Sequence, residues 1–166
     1  MRISAVGLLA VFALPLAHAA DTDSIDSVTH AVYAVISGPA GPRDWDRFRA
    51  LFIDGARLIS IRVTPEGPSP NVMTPDDFAK RSGTNTATNG FFESEVARRV
   101  ETFGNIAHVF STYESRRPPG DKPFARGINS FQLAKVGNAW KVMTILWDQE
   151  REGSPLPAKY LATPKE

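Results

Sequence analysis

Arg98, Ser111, Tyr113, Asn129, Thr144 and Asp148 are polar side chains set among large apolar neighbours in the back half of this 166-residue chain. A few polar groups held rigidly in an apolar pocket are what orienting a small polar or anionic ligand requires. The competing arrangement is an internally satisfied network, with Arg98 paired to Asp148 or Glu150 and serving only as a brace. His108 and Glu101 form a histidine–carboxylate pair, which could act as a general base. On an outward strand face the same pair is a surface or interface link. Trp147-Asp148-Gln149-Glu150 closes the last strand. There Trp147 either covers a ligand that the acids read, or anchors an interface beside solvated acids.

Other chemistries lack their residues. His30 falls opposite the apolar stripe of its helix, where it is solvated, and neither histidine has HExxH spacing, so no metal site is expected. The chain has no cysteine, which removes thiol catalysis, thiolate metal sites and haem attachment. Gly38-Pro39-Ala40-Gly41 is helix punctuation, and no Walker sequence or GxGxxG follows a strand, so no cofactor is expected.

These side chains need strands to hold them. Between Phe91 and Trp147 the apolar positions describe four long antiparallel strands with turns that fix their register. Gly104-Asn105 reads as a two-residue hairpin turn that sets Phe103 opposite Ile106, Glu101 opposite His108 and Arg98 opposite Ser111. Gly137-Asn138 does the same, setting Phe131 against Thr144 and Asn129 against Leu146. By alternation, Val96, Val100, Ala107, Val109 and Tyr113 share the more apolar face with Arg98 and Ser111, while Glu95, Arg99, Glu101, His108, Thr112 and Glu114 look outward. The second hairpin is apolar on both faces: Phe131, Leu133, Trp140, Val142 and Leu146 on one, Ile128, Met143, Ile145 and Trp147 on the other. A sheet apolar on both sides needs covering on both, by helices and by a second copy, so a homodimer through the outer sheet face is expected.

Ahead of the strands, Ile25, Val28, Val32, Val35 and Ile36 recur at helical spacing until Gly38-Pro39. Asp44 can cap a second helix whose Trp45, Phe48, Leu51 and Phe52 share a face and which ends at Asp54-Gly55. Arg57 to Val63 alternates as a strand with Ile59, Ile61 and Val63 on one side, and Pro65 to Pro70 reads as a loop. Thr74-Pro75-Asp76-Asp77 opens a short helix through Lys80. Ser82 to Asn89 reads as a surface loop. The tail, about 151–166, reads as an extended arm pinned by Tyr160 and Leu161.

Bulk composition sets the frame. The length allows one domain, and 42% hydrophobic with 22% charged residues is ordinary for a soluble one. Met1-Arg2, the apolar run Val6 to Leu16 and Ala17-His18-Ala19 describe a cleaved secretory leader over 1–19, leaving a single domain over 20–166 that is periplasmic or secreted. The apolar run is short for a membrane span, and none is expected later. Removing the leader takes one of 19 basic residues and leaves 18 against 18 acidic, a balance that argues against a nucleic-acid partner.

Helix, helix ending in Leu51-Phe52, strand, short helix and four-strand meander with Gly-Asn-x-Trp-Lys-Val at the last hairpin resemble the nuclear transport factor 2-like superfamily, nearest its SnoaL-like and domain-of-unknown-function branches. The resemblance runs from about Ile25 to Trp147. It implies an α+β fold, a cone of curved antiparallel sheet capped by helices. The superfamily holds isomerases, dehydratases, cyclases and modules with no chemistry, so fold does not settle function. Against the ketosteroid isomerase pattern, a worked example of pKa tuning, the resemblance places Tyr33 near that enzyme's tyrosine, Asn129 at its protonated aspartate and Ser60 at its base. Serine cannot serve as that base, and Gly55 to Pro65 offers no carboxylate in its place. The alternation moreover turns Ile59 and Ile61, not Ser60, toward the core.

The resulting expectation is an exported domain that binds a small organic molecule through Tyr33, Arg98, Ser111, Tyr113, Asn129, Thr144 and Asp148 without catalysis. Two alternatives stay open: a cofactor-independent lyase, isomerase or hydrolase, and a dimeric interaction module with a filled pocket.

Overall fold

The structure is a computed structural model that describes residues 21–162. The leader expected over 1–19 lies outside them. Helix α1 spans Ile25–Ile36 and begins with a reciprocal cap. The Ser24 hydroxyl accepts the Ser27 N–H at 3.0 Å, and the Ser27 hydroxyl accepts that of Ser24 at 2.9 Å. Its buried face carries Val28, Ala31, Val32 and Val35.

Helix α2 covers Trp45–Ala50, capped by Asp44. It stops before Phe52, which instead opens strand β1 (Phe52–Thr64). Asp54-Gly55 therefore ends no helix. It lies in an irregular stretch of β1 between Phe52 and Arg57, where Gly55 takes φ +80°, a conformation that suits glycine.

Strand β2 (Gly67–Met73) corrects the expected proline loop. It pairs antiparallel with β1, setting Pro68 opposite Val63 and Pro70 opposite Ile61. Proline is tolerated because β2 is the sheet's edge and its missing N–H costs no second ladder. Helix α3 (Pro75–Thr86) has the expected Thr74/Asp77 capping box but runs past Lys80 into the expected loop. Ser, Gly, Thr and Asn are poor helix formers alone. Packing overrides that preference: Thr86 is buried, and Ser82 and Asn85 follow Phe78 along the wall of the central cavity.

Strands β3 (Phe92–Phe103), β4 (Ile106–Arg116), β5 (Ala125–Val136) and β6 (Ala139–Gln149) form the expected antiparallel meander. Strand β1 pairs parallel with β6 and carries β2, giving a six-stranded mixed sheet in the order β2-β1-β6-β5-β4-β3. Gly104 and Gly137 take φ +56° and +60° at the first position of the two hairpin turns. The helices lie on one side of the sheet, and Val28, Phe48, Leu51, Val109, Phe131, Leu133 and Val142 form the most deeply buried part of the core between them.

Register separates what alternation predicts from what forms. On β3–β4 the pairs Phe103–Ile106, Glu101–His108 and Arg98–Ser111 are as expected. Beyond them Val96 bulges, so Ala97 faces Thr112 but Glu95 faces Tyr113 and Glu93 faces Ser115. One extra residue reverses which face each later side chain takes. Glu95, expected outside, is thereby inside. On β5–β6 the register holds to Leu133–Val142; Met143 then bulges, Phe131 faces Ile145 rather than Thr144, and Asn129 faces Trp147 rather than Leu146. Ile145 and Trp147 thus turn inward, and Leu146, Thr144 and Asp148 outward. On β1, Leu58 is buried and Ile61 lines a hollow on the outer face, so Ser60 shares the inner face and the expected Ile59/Ile61 orientation is reversed.

The C-terminal arm crosses the outer face. Tyr160 packs on Phe110 at a centroid distance of 5.0 Å, and its carbonyl accepts the Thr112 hydroxyl at 2.6 Å. Leu161 is exposed, so Tyr160 alone of the two expected anchors pins the arm. Among the described residues no helix is long and apolar enough to cross a membrane.

Candidate functional site

A cavity of about 210 Å³ lies between the helices and the inner sheet face. Its body is apolar, built from Val32 and Ile36 of α1, Phe48 of α2, Leu58 of β1, Phe131 of β5 and Ile145 and Trp147 of β6. Phe48 stacks on Phe78 at 5.4 Å, and Phe78 meets Trp147 edge-on at 6.3 Å, which links α2, α3 and β6 around the opening. Into this aromatic chamber the sheet sends five polar side chains: Glu93, Tyr113, Ser115, Asn129 and Gln149.

Glu93 is the one carboxyl of the set. One carboxylate oxygen accepts the Ser115 hydroxyl at 2.8 Å, and the other accepts an Asn129 amide N–H at 3.4 Å. Protein surrounds it, and it keeps partial access to space as a lining group of the cavity. Burial pushes its carboxyl up to about 7, against which its hydrogen bonds to Ser115 and Asn129 work only in part. No sequence argument singled out Glu93, because counting from the Gly104 turn without the Val96 bulge turns it outward. The adjacent apolar pair Val96-Ala97, where alternation allows one, was the available signal.

Tyr113 stands beside it. Burial, with the neighbouring Glu93 charge, raises its hydroxyl and keeps it protonated, while a hydrogen bond with Gln149 acts the other way. Gly127, opposite on β5, makes room: a Cβ there would lie 2.7 Å from the Tyr113 hydroxyl and 2.2 Å from the Asp148 carbonyl oxygen.

Behind the cavity wall runs a polar chain that ties α1 to the sheet. Asn129 Nδ2 donates to the Tyr33 hydroxyl at 3.0 Å, and Tyr33 and Ser111 hydroxyls lie 2.7 Å apart. Ser111 has one proton and gives it to Glu95. Tyr33 must then donate to Ser111, so all protons in the chain point toward Glu95. Burial raises the Tyr33 hydroxyl, as does the Glu93 charge. Arg98 closes the chain, with Nε 3.2 Å from Glu95 and Nη1 3.0 Å from Asp26 on α1.

The seven expected site residues therefore divide. Tyr33, Ser111 and Asn129 come together in one network, and Asn129 and Tyr113 reach the cavity. Arg98 braces α1 through Asp26 and Glu95 rather than Asp148 or Glu150. Thr144 and Asp148 lie on the outer face because of the Met143 bulge, where Asp148 accepts from Arg151 at 2.7 Å. Glu150 pairs instead with Arg126. His108 is also on the outer face, its Nε2 3.0 Å from the Ser130 hydroxyl, and His30 is exposed. Among the described residues no three His, Asp or Glu side chains gather as metal ligands.

No protein-family model and no curated protein sequence matches the chain. Solved structures do. A protein of unknown function with a cystatin-like fold from Nostoc punctiforme superposes with a TM-score of 0.58 at 9% identity, covering 76% of this chain and 88% of that one. A candidate dehydratase of the NTF2-like family from Streptomyces avermitilis gives 0.57 at 12% identity, over 83% and 97%. An NTF2-like protein of unknown function from Silicibacter pomeroyi gives 0.53 at 13% identity, over 76% and 92%.

Proposed function

Starting from a chain of the NTF2-like, cystatin-like fold, we propose that its cone binds a small, mainly apolar organic molecule bearing a carbonyl group and that Glu93 exchanges a proton with it. The supporting observation is the carboxyl itself: a buried ionisable group set into an aromatic cavity, where a neutral amide would fill the same space without the desolvation cost. Strand β1 lends the cavity no carboxylate for this step, and Glu93 of β3 is the group we assign to it.

Isomerisation needs the fewest groups. The Glu93 carboxylate takes a proton from the carbon beside the carbonyl, the electron pair moves onto the carbonyl oxygen, and the Tyr113 O–H stabilises that oxyanion. In a ketone with a neighbouring C=C, Glu93 then returns the proton to the far carbon of the dienolate as the C=C shifts one bond and the carbonyl re-forms, so atoms and charge balance. The non-catalytic reading is favoured by one feature: Ser115 and Asn129 already satisfy Glu93. Small ketones incubated with the protein in deuterium oxide separate the two. The proposal expects exchange of their α-protons, followed by NMR, with Glu93→Gln falling to the buffer rate; equal rates for both proteins leave only the binding reading.

Export rests on residues 1–19 and remains part of the proposal, as does a homodimer. The arm covers Phe110 and Thr112, so a second copy would meet the rest of the outer face, where Met143 and Leu146 are exposed.

A further inference from the structure

Resting on that reading of the cavity, we infer that the ligand carries an anionic group, held at the mouth of the cone by Arg62 and Arg81. The cavity opens into a wider vestibule of about 620 Å³, and the two share Phe78, Ser82, Asn85, Phe91, Trp147 and Gln149 as walls. Arg62 reaches this vestibule from β1, two residues beyond Ser60 on the inner-facing row that starts at buried Leu58. Arg81 reaches it from α3, one turn after Phe78.

The arginines of this chain show why these two stand apart. Arg47, Arg49, Arg98, Arg116, Arg126 and Arg151 are ion-paired. Arg43, Arg57 and Arg99 donate to backbone carbonyls, and Arg117 donates to the Gly90 carbonyl and covers the Phe124 ring. Among the described residues only Arg62 and Arg81 have no such partner, and both line the same opening. The vestibule's own acids do not compensate them: Asp148 is held by Arg151, and Glu150 by Arg126 and the Leu156 N–H. Two guanidiniums without an ion-pair partner, lining the mouth of an apolar chamber, match an amphipathic oxyanion whose apolar body enters the cone.

Matched pairs of alcohol and carboxylate, from butanol and butanoate to 3-phenylpropanol and 3-phenylpropanoate, test this by isothermal titration calorimetry at about pH 6. The wild-type protein should bind the carboxylates about tenfold more tightly than the alcohols, the scale of two solvent-exposed ion pairs. Added salt should narrow that preference. Arg62→Gln with Arg81→Gln should abolish it and leave alcohol binding and melting temperature unchanged, since both side chains are exposed. Equal binding of acid and alcohol, or a preference that survives the double substitution, would overturn the anion site while the cavity reading stands. Binding of neither partner in any pair would overturn the cavity reading and this inference together.

Discussion

Glu93→Gln should be more stable than the wild-type protein at pH 8 by about 2 kcal/mol and no more stable at pH 4.5. The sign follows from linkage. The folded-state carboxyl sits near 7 against an ordinary value of 4.5, so the folded protein holds its proton more tightly than the unfolded chain does. Wild-type stability is therefore unpenalised below about pH 4.5, falls as pH rises toward 7, and is flat above. That interval corresponds to at most about 3 kcal/mol. Glutamine has no such fall; its Oε1 can accept the Asn129 N–H while its Nε2 donates to the Ser115 hydroxyl, and the Ser115 proton then loses its acceptor, which costs about 1 kcal/mol. Urea denaturation at the two pH values measures the crossing. Parallel pH profiles for the two proteins would mean that the carboxyl is ordinary and the site is not tuned.

Gly127→Ala should lose about 3 kcal/mol, the upper end for overpacking a well-filled position. The glycine is needed for close approach. Its added methyl would stand 2.2 Å from the Asp148 carbonyl oxygen and 2.9 Å from the Tyr113 ring, so either β5 and β6 part or Tyr113 leaves its place. Removing the hydroxyl with Tyr113→Phe should restore part of the loss, because the two changes share one contact. Denaturation of the single and double variants checks the coupling. A Gly127→Ala protein as stable as wild type, or strictly additive losses, would show that Tyr113 is not held here.

Local chemistry in this chain was legible wherever one residue decides one feature. The Asp44 and Thr74 caps, the Gly104 and Gly137 turns and the apolar row of α1 each follow from nearby atoms, and each formed as read. Long-range pairing was not legible in that way. Nothing local tells that β1 docks parallel to β6, or that Pro68 and Pro70 sit on an edge where their missing N–H is harmless. The bulges at Val96 and Met143 matter most, because Val96-Ala97 and the run Val142 to Trp147 permit more than one placement of the extra residue. Each bulge inverts everything beyond it. One brings Glu93 and Glu95 inside, and the other carries Thr144 and Asp148 out. Tyr33, Arg98, Ser111, Tyr113 and Asn129, on α1 or on stretches of strand that take up no extra residue, thus face the helices as read, while Thr144 and Asp148, beyond Met143 on its own strand, turn outward and Glu93 and Glu95 come in.

Proton exchange in the cone requires a carboxyl at the cavity wall, buried enough to hold its proton to neutrality and open enough to meet a ligand. Carbon-13 NMR titration of Glu93, assigned by comparison with Glu93→Gln, tests that directly. The expected midpoint is about 7, moving when a carboxylate or ketone occupies the cone. A midpoint in the ordinary range near 4.5, indifferent to every bound molecule, would contradict it.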